Sequence, residues 1–170
     1  ADLWGTRKLV AGAEGPAGPL RAKLAGELQR RIDGLGRCDS FLHLHLGING
    51  SGLPNGPSEA FPAQWAVLRD WKAGVGAPRN LVLVSMASLL DPSMAPEGCH
   101  VIHAYTPATE PYEEWEGLDR KSEEYRRKKE EAVAVLWEAI ERQIPDVRQR
   151  ARVALAATPL THERFLRRDR

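Results

Sequence analysis

Cysteine is scarce in this chain: Cys38 and Cys99 are the only two in 170 residues, and no C-x-x-C pair occurs. Two isolated thiols build neither a disulfide framework nor a thiolate zinc site. A reducing compartment with free or buried thiols is therefore expected, with a single bridge left open. Net charge is scarce as well, since 24 basic residues offset 23 acidic ones to leave +1. That balance excludes the global field that draws a protein onto nucleic acid or an anionic bilayer, so no nucleic acid partner is expected. No apolar run approaches the roughly 18–20 residues that span a membrane, and "ADLWGTRKLV" lacks the layout of a signal peptide. A soluble chain, peripheral at most, is expected. Because it begins without methionine, the chain reads as a processed product or a piece of something longer. Also missing is the G-x-S-x-G elbow. Ser85, His103 and Asp91 can be grouped on paper as a hydrolytic set, but without that elbow, and with no activated-looking cysteine, neither hydrolase nor thiol chemistry is supported.

What is present fits one domain with one core. Residues 1–18, rich in Gly, Ala and Pro, read as loop. Leu20, Leu24, Leu28 and Ile32 recur every four residues behind Pro19, predicting an amphipathic helix over 19–33 that stops near Gly34 and Gly36. The segment 39–48 alternates strictly, with Leu42, Leu44 and Leu46 on one face and Phe41, His43 and His45 on the other, as a strand of period two does. Further strands are predicted near 64–71, 80–86, 99–105 and 151–157. Between them, "DPSMAPEG" reads as a surface loop. The longest helix signal runs over 119–144: Tyr125, Ala132, Val133, Leu136, Ile140 and Ile144 form one stripe, "RRKKEE" faces water, Asp119 caps the start and Pro145 ends it. "LTHERFLRR" adds a short helix. Several strands with one long helix predict an α+β domain, a mixed or antiparallel sheet with packed helices.

Three features invite chemistry. Gly50, Gly52 and Gly56 follow a predicted strand, where a dinucleotide-binding turn would sit, yet Pro54, Asn55 and Pro57 break the chain where the phosphate-binding helix must run. A plain turn is the better reading. His43 and His45 share a strand face, and His100 and His103 lie on another strand, but a step of three sends those two to opposite faces, so both cannot meet the first pair. No acidic residue beside the histidines in these two strands completes a site, so no metal is expected. Finally, "YTPATEPYEEWEGLD" (105–119) interleaves Tyr105, Tyr112 and Trp115 with glutamates. It reads either as a packed loop feeding an acidic first helical turn or as an aromatic wall beside an apolar channel.

The blocks "CDSFLHLHLGI" (38–48), "DWKAGVGAPRNLVLVSMASLLDPSMAPEGCHVIHAYTP" (70–107), "EPYEEWEGLDRKSEEY" (110–125) and "TPLTHERFLRR" (158–168) resemble the carotenoid isomerase (prolycopene isomerase) family of cyanobacteria and plastids. These are phytoene-desaturase-like flavoproteins. "LWGTRKL" (3–9) is similar too, whereas "NGSGLPNGPSEAFPA" and residues 11–36 depart from the pattern. The resemblance implies a parent enzyme that isomerises poly-cis carotenes, prolycopene to all-trans lycopene, with reduced FAD and no net oxidation of substrate. In that family the flavin is held by an N-terminal dinucleotide turn and a glycine-rich segment near the C-terminus, and neither is found within residues 1–170. The chain is thus expected to be a single domain or fragment, the substrate-domain portion of an FAD-dependent amine-oxidase/phytoene-desaturase-like fold. It is expected to bind no FAD and to be inactive alone, and no catalytic residue is carried over. Phe41, His43, His45 and Tyr105 are the expected wall of an apolar channel. The implied partners are a hydrophobic carotenoid substrate and a membrane surface or larger protein complex. The implied location is the chloroplast, or a cyanobacterial or bacterial cytoplasm at the membrane surface. Two other readings stay open: a non-catalytic isomerase-like subunit of a larger photosynthetic complex, and a desaturase or an enzyme of another polyene.

Overall fold

The computed structural model describes residues 18–35 and 38–166. The first seventeen residues and the last four, which include the predicted N-terminal loop and the "LWGTRKL" block, lie outside them. The elements are α1 (Gly18–Asp33), β1 (His43–Asn49), β2 (Gln64–Leu68), β3 (Leu81–Ser85), β4 (Cys99–Tyr105), α2 (Glu123–Glu141), α3 (Val147–Arg150), β5 (Ala151–Ala157) and α4 (Pro159–Leu166). Short 3-10 turns cover Ala87–Leu89, Pro92–Met94 and Tyr112–Glu114, so the predicted 91–98 loop carries a turn capped by Asp91. Asp39–Leu160 forms one compact unit, and α1 belongs to a second. Along α1 the expected stripe is uneven: Ile32 is buried while Leu20 and Leu24 are exposed.

The main unit is a five-stranded sheet in the order β2-β3-β4-β1-β5, and every pairing is antiparallel. The alternation of β1 has the consequence expected of a pleated strand. Leu42, Leu44, Leu46 and Ile48 are all at most 2% exposed and join Val82, Val84, Ile102 and Ala104 beneath α2. Helix α2 answers with Tyr125, Ala132, Val133, Leu136 and Ile140, the predicted stripe, together with Val135 and Ala139; Ile144 is buried just beyond its end. The Trp65 indole N–H donates to the Ala139 carbonyl at 3.1 Å, fastening β2 to the helix. Tyr125 and Thr158 hydroxyls meet at 2.9 Å, both buried, fastening the end of β5 to the helix start. The border strand β5 keeps Val153 and Leu155 exposed.

Strand β1 runs from His43 rather than residue 39 and β3 is one residue shorter at each end than expected, and three further boundaries differ for a visible local reason. Helix α2 starts at Glu123 rather than near Asp119, because Ser122 is the cap: its hydroxyl accepts the Tyr125 N–H at 3.1 Å. Asp119 instead closes the preceding turn by accepting from the Lys121 N–H. Strand β2 ends at Leu68, short of residue 71, because the Asn80 side chain accepts the Asp70 N–H and donates to the carbonyls of Asp70 and Gly74, capturing groups that a ladder needs. Helix α2 ends at Glu141, and a separate turn, α3, follows Pro145.

A buried carboxylate ties three connections together. Glu110 is 0% exposed, and its oxygens accept from Arg79 Nε at 2.9 Å, Arg79 Nη2 at 2.5 Å and the Trp115 indole N–H at 2.7 Å. Its backbone pairs with Ser40, which sets the course of the chain into Phe41 and β1. Arg79 stands at the mouth of β3 with φ of 57° and reaches Glu114 as well.

Two substitutions test this packing. Leu136→Asp, a carboxylate at a fully buried position, should unfold the domain, since an unpaired buried charge costs several kcal/mol; retained helicity and a cooperative melt would refute the assignment of that face. Glu110→Ala should cost about 3 kcal/mol, the low end for a broken buried pair because Arg79 keeps some access to water. Urea denaturation reads it, and an unshifted midpoint would show that the pair contributes nothing.

Candidate functional site: a histidine and aromatic face on β1 and β4

The face of β1 opposite α2 carries Phe41, His43 and His45, as the alternation requires. Antiparallel pairing decides what stands beside them. In the β1–β4 register His45 lies directly across from His103, and His43 across from Tyr105; directly paired residues point to the same face. Next along the sheet, Ser85 of β3 pairs with His103. The rings lie nearly parallel: His45 and His103 are 4.3 Å apart between centroids with 4° between planes, His43 and His103 4.9 Å with 7°, and His103 and Tyr105 5.0 Å with 21°. Phe41 stacks on His43 at 5.6 Å. The three imidazoles each offer a ring nitrogen within 4.8 Å of the others. One of these approaches is a hydrogen bond, His43 Nδ1 to His103 Nε2 at 2.7 Å, with the tautomer deciding which nitrogen donates.

Electrostatics follow from crowding. Burial pushes the His103 imidazole down to about 4, and the neighbouring His45 adds repulsion against its charged form. His45 is lowered by desolvation as well. Both shifts favour the neutral imidazoles of His45 and His103, and His45 is the exposed member of the ring strip.

The expected wall residues Phe41, His43, His45 and Tyr105 are thus brought to one face, but they form a half-buried surface rather than a tunnel. A cavity in this unit lies on the opposite side of the sheet, between α2 and β5, with Leu44, Val133, Trp137, Ala154 and Ala156 as apolar lining and Arg126, Lys129 and Arg148 among its charged groups. None of the four expected residues lines it. Trp115 and Tyr112 do not extend the wall: Trp115 is fully buried, its indole committed to Glu110, which supports the packed-loop reading of 105–119.

His103 is the residue that sequence reasoning missed. His100 and His103 do point to opposite faces, and His100 is buried beside Ser88, whose hydroxyl lies 3.0 Å from its Nδ1. The two cannot both meet the first pair, as expected, and pairing brings His103 alone across the ladder to His45 as a third imidazole. The alternation of β1 together with any histidine at odd spacing on a neighbouring strand was the available signal. Asp91 takes no part, because its carboxylate accepts from the Ser93 N–H and hydroxyl.

The glycine turn does not fit a flavin pyrophosphate. The Gly50 N–H is already donated to the Gly98 carbonyl at 2.9 Å, and a Cβ at Gly50 would come within 2.8 Å of the His100 ring, which explains that glycine by packing. Gly52 adopts φ of 76° in a turn, and the chain proceeds to strand β2 rather than to a helix. Cys38 and Cys99 are free thiols. No described helix is long and apolar enough to cross a membrane.

The depressed His103 value carries a pH dependence. Its neutral form is favoured in the folded state, so the unfolded chain takes up the proton first as pH drops below the ordinary 6.5, and stability falls until the folded ring titrates near 4. His45, lowered in the same direction, adds to the loss. Denaturation midpoints should therefore decline across that window, and His103→Gln should flatten the decline; parallel profiles for the two proteins would contradict it.

No protein-family model matches the chain. Among curated proteins, it is 33% identical over 135 residues to "Prolycopene isomerase, chloroplastic" of Arabidopsis thaliana, which covers 79% of this chain and 21% of that protein. It is 34% identical over 134 residues to "Prolycopene isomerase 2, chloroplastic" of an Oncidium hybrid cultivar, covering 78% of the chain and 22% of the relative. The carrot (Daucus carota) "Prolycopene isomerase, chloroplastic" is 31% identical over 134 residues, 78% of the chain and 20% of the relative. The chain spans about one fifth of the length of these relatives. Over most of its residues, then, this chain is similar to the prolycopene isomerases, and the resemblance carried by its sequence blocks holds.

Proposed function

We propose that this chain is the substrate-facing portion of a plastid carotenoid cis-trans isomerase that converts prolycopene to all-trans lycopene with reduced FAD. The observation that carries the reading is the 31–34% identity to prolycopene isomerases across more than three quarters of the chain. In this reading the stacked ring face of Phe41, His43, His45 and Tyr105 lies along the polyene. Flat stacked rings match a flat conjugated chain, which has no group that could pair with a buried ion. The described residues supply no pyrophosphate cradle, so the flavin is held outside them, and these side chains bind and orient the carotene rather than react with it.

The test uses the natural-length gene product in cells that accumulate prolycopene, with carotenes resolved by chromatography. Conversion to all-trans lycopene is expected. Phe41→Ala combined with Tyr105→Ala should lower conversion about tenfold, since truncating aromatic contacts costs on the order of 1–2 kcal/mol. Full conversion by the double variant would remove these residues from the carotene surface. No conversion by the unaltered protein would sink the isomerase reading in favour of the non-catalytic subunit.

A further inference from the structure

We propose that His43, His45 and His103 form a three-histidine site for a borderline divalent cation of the zinc class, with a fourth position open to solvent. The proposal goes beyond the carotene reading and does not depend on it. It rests on how the site is built. An H-x-H sequence on a strand sets two imidazoles on one face by geometry alone, and the register adds a third directly opposite His45. Strand pairing on both sides holds β1, because β4 and β5 flank it, so the Cα positions of the ligands are fixed before any ion arrives. Such preorganisation reduces the ordering cost of binding.

The distances are close to those needed. Three nitrogens already lie within 4.8 Å of one another, and a tetrahedral ion with metal–nitrogen bonds of about 2.0–2.1 Å needs them about 3.3 Å apart. Because an imidazole lone pair lies in its ring plane and the three rings stack nearly parallel, the ion must turn the rings out of their stack as it draws the nitrogens together. Binding breaks the His43–His103 hydrogen bond and replaces it with coordination of both rings. No Asp or Glu lies on β1, β3 or β4, so the donor set is nitrogen only. That composition selects zinc, nickel, copper or cobalt over calcium or magnesium, which require oxygen ligands. His45 is the exposed member, and its side opens the remaining coordination position to water, as in zinc sites that exchange a ligand rather than in closed structural ones.

Cobalt is the probe, because its visible bands distinguish tetrahedral nitrogen coordination. The chain is stripped with a chelator and titrated with cobalt(II) at neutral pH, and bound cobalt is then competed with zinc. One equivalent should bind with tetrahedral bands, zinc should displace it, and calcium or magnesium should not. His45→Gln is the decisive variant: the side chain is exposed, so its loss spares the core. It should weaken cobalt binding by at least about 10- to 100-fold, the scale on which even outer-shell changes act. Zinc should also shift the ring nitrogen resonances of His43, His45 and His103 while leaving those of His100 in place. Absence of cobalt bands in the unaltered chain overturns the proposal, as does His45→Gln binding with unchanged affinity. Because no carotene is present, these results are independent of whether the isomerase reading stands.

Discussion

The Glu110 carboxylate is the constraint on which the arrangement of the main unit turns. It is shut off from solvent, and an ion in that position persists only if its lone pairs are met by well-placed donors. Arg79 and Trp115 supply them from two different connections, the turn before β3 and the segment before α2. Its own backbone pairs with Ser40, just before β1. One side chain therefore fixes how the turn entering β3, the start of β1 and the approach to α2 meet. Lys128 lies over the Trp115 ring at 5.4 Å, so the helix itself is drawn to the same junction.

From that junction β1 runs between β4 and β5 and combines the strict leucine alternation with ring-bearing partners across one ladder. Its two faces have opposite fates. The leucine face closes the core against α2, where burial is the main stabilising term. The other face collects imidazole and phenol rings at distances set by strand spacing rather than by their own attraction. Crowding favours the neutral forms of His45 and His103. A flat, partly open surface of stacked rings follows.

Much of this was legible in the residues. The extents of β4 and β5 match the sequence reading, as does the buried stripe of α2, because period two and period 3.6 are local properties of the chain. The start of α2 was misplaced because Asp119 and Ser122 are both good caps, and only the turn geometry chooses between them. Which of His100 and His103 joins the first pair was not legible, because register is a property of two strands at once and nothing in "CHVIHAY" says which residue will face His45. Glu110 was hidden for a related reason: within an acidic run a single glutamate looks solvated, and its partner Arg79 lies thirty-one positions earlier.

Strand β5 closes the sheet on one side with the sequence ARVALAA, a run in which Arg152 is the only charge and Val153 and Leu155 face water. Among the described residues no further strand pairs with β5, so this border sets backbone donors and acceptors beside apolar side chains, the combination that favours edge-to-edge association. One guanidinium, Arg152, is the charge that the strand sets along that border. Neutralising Arg152 would leave the fold's interior untouched and change instead how its molecules treat one another in concentrated solution.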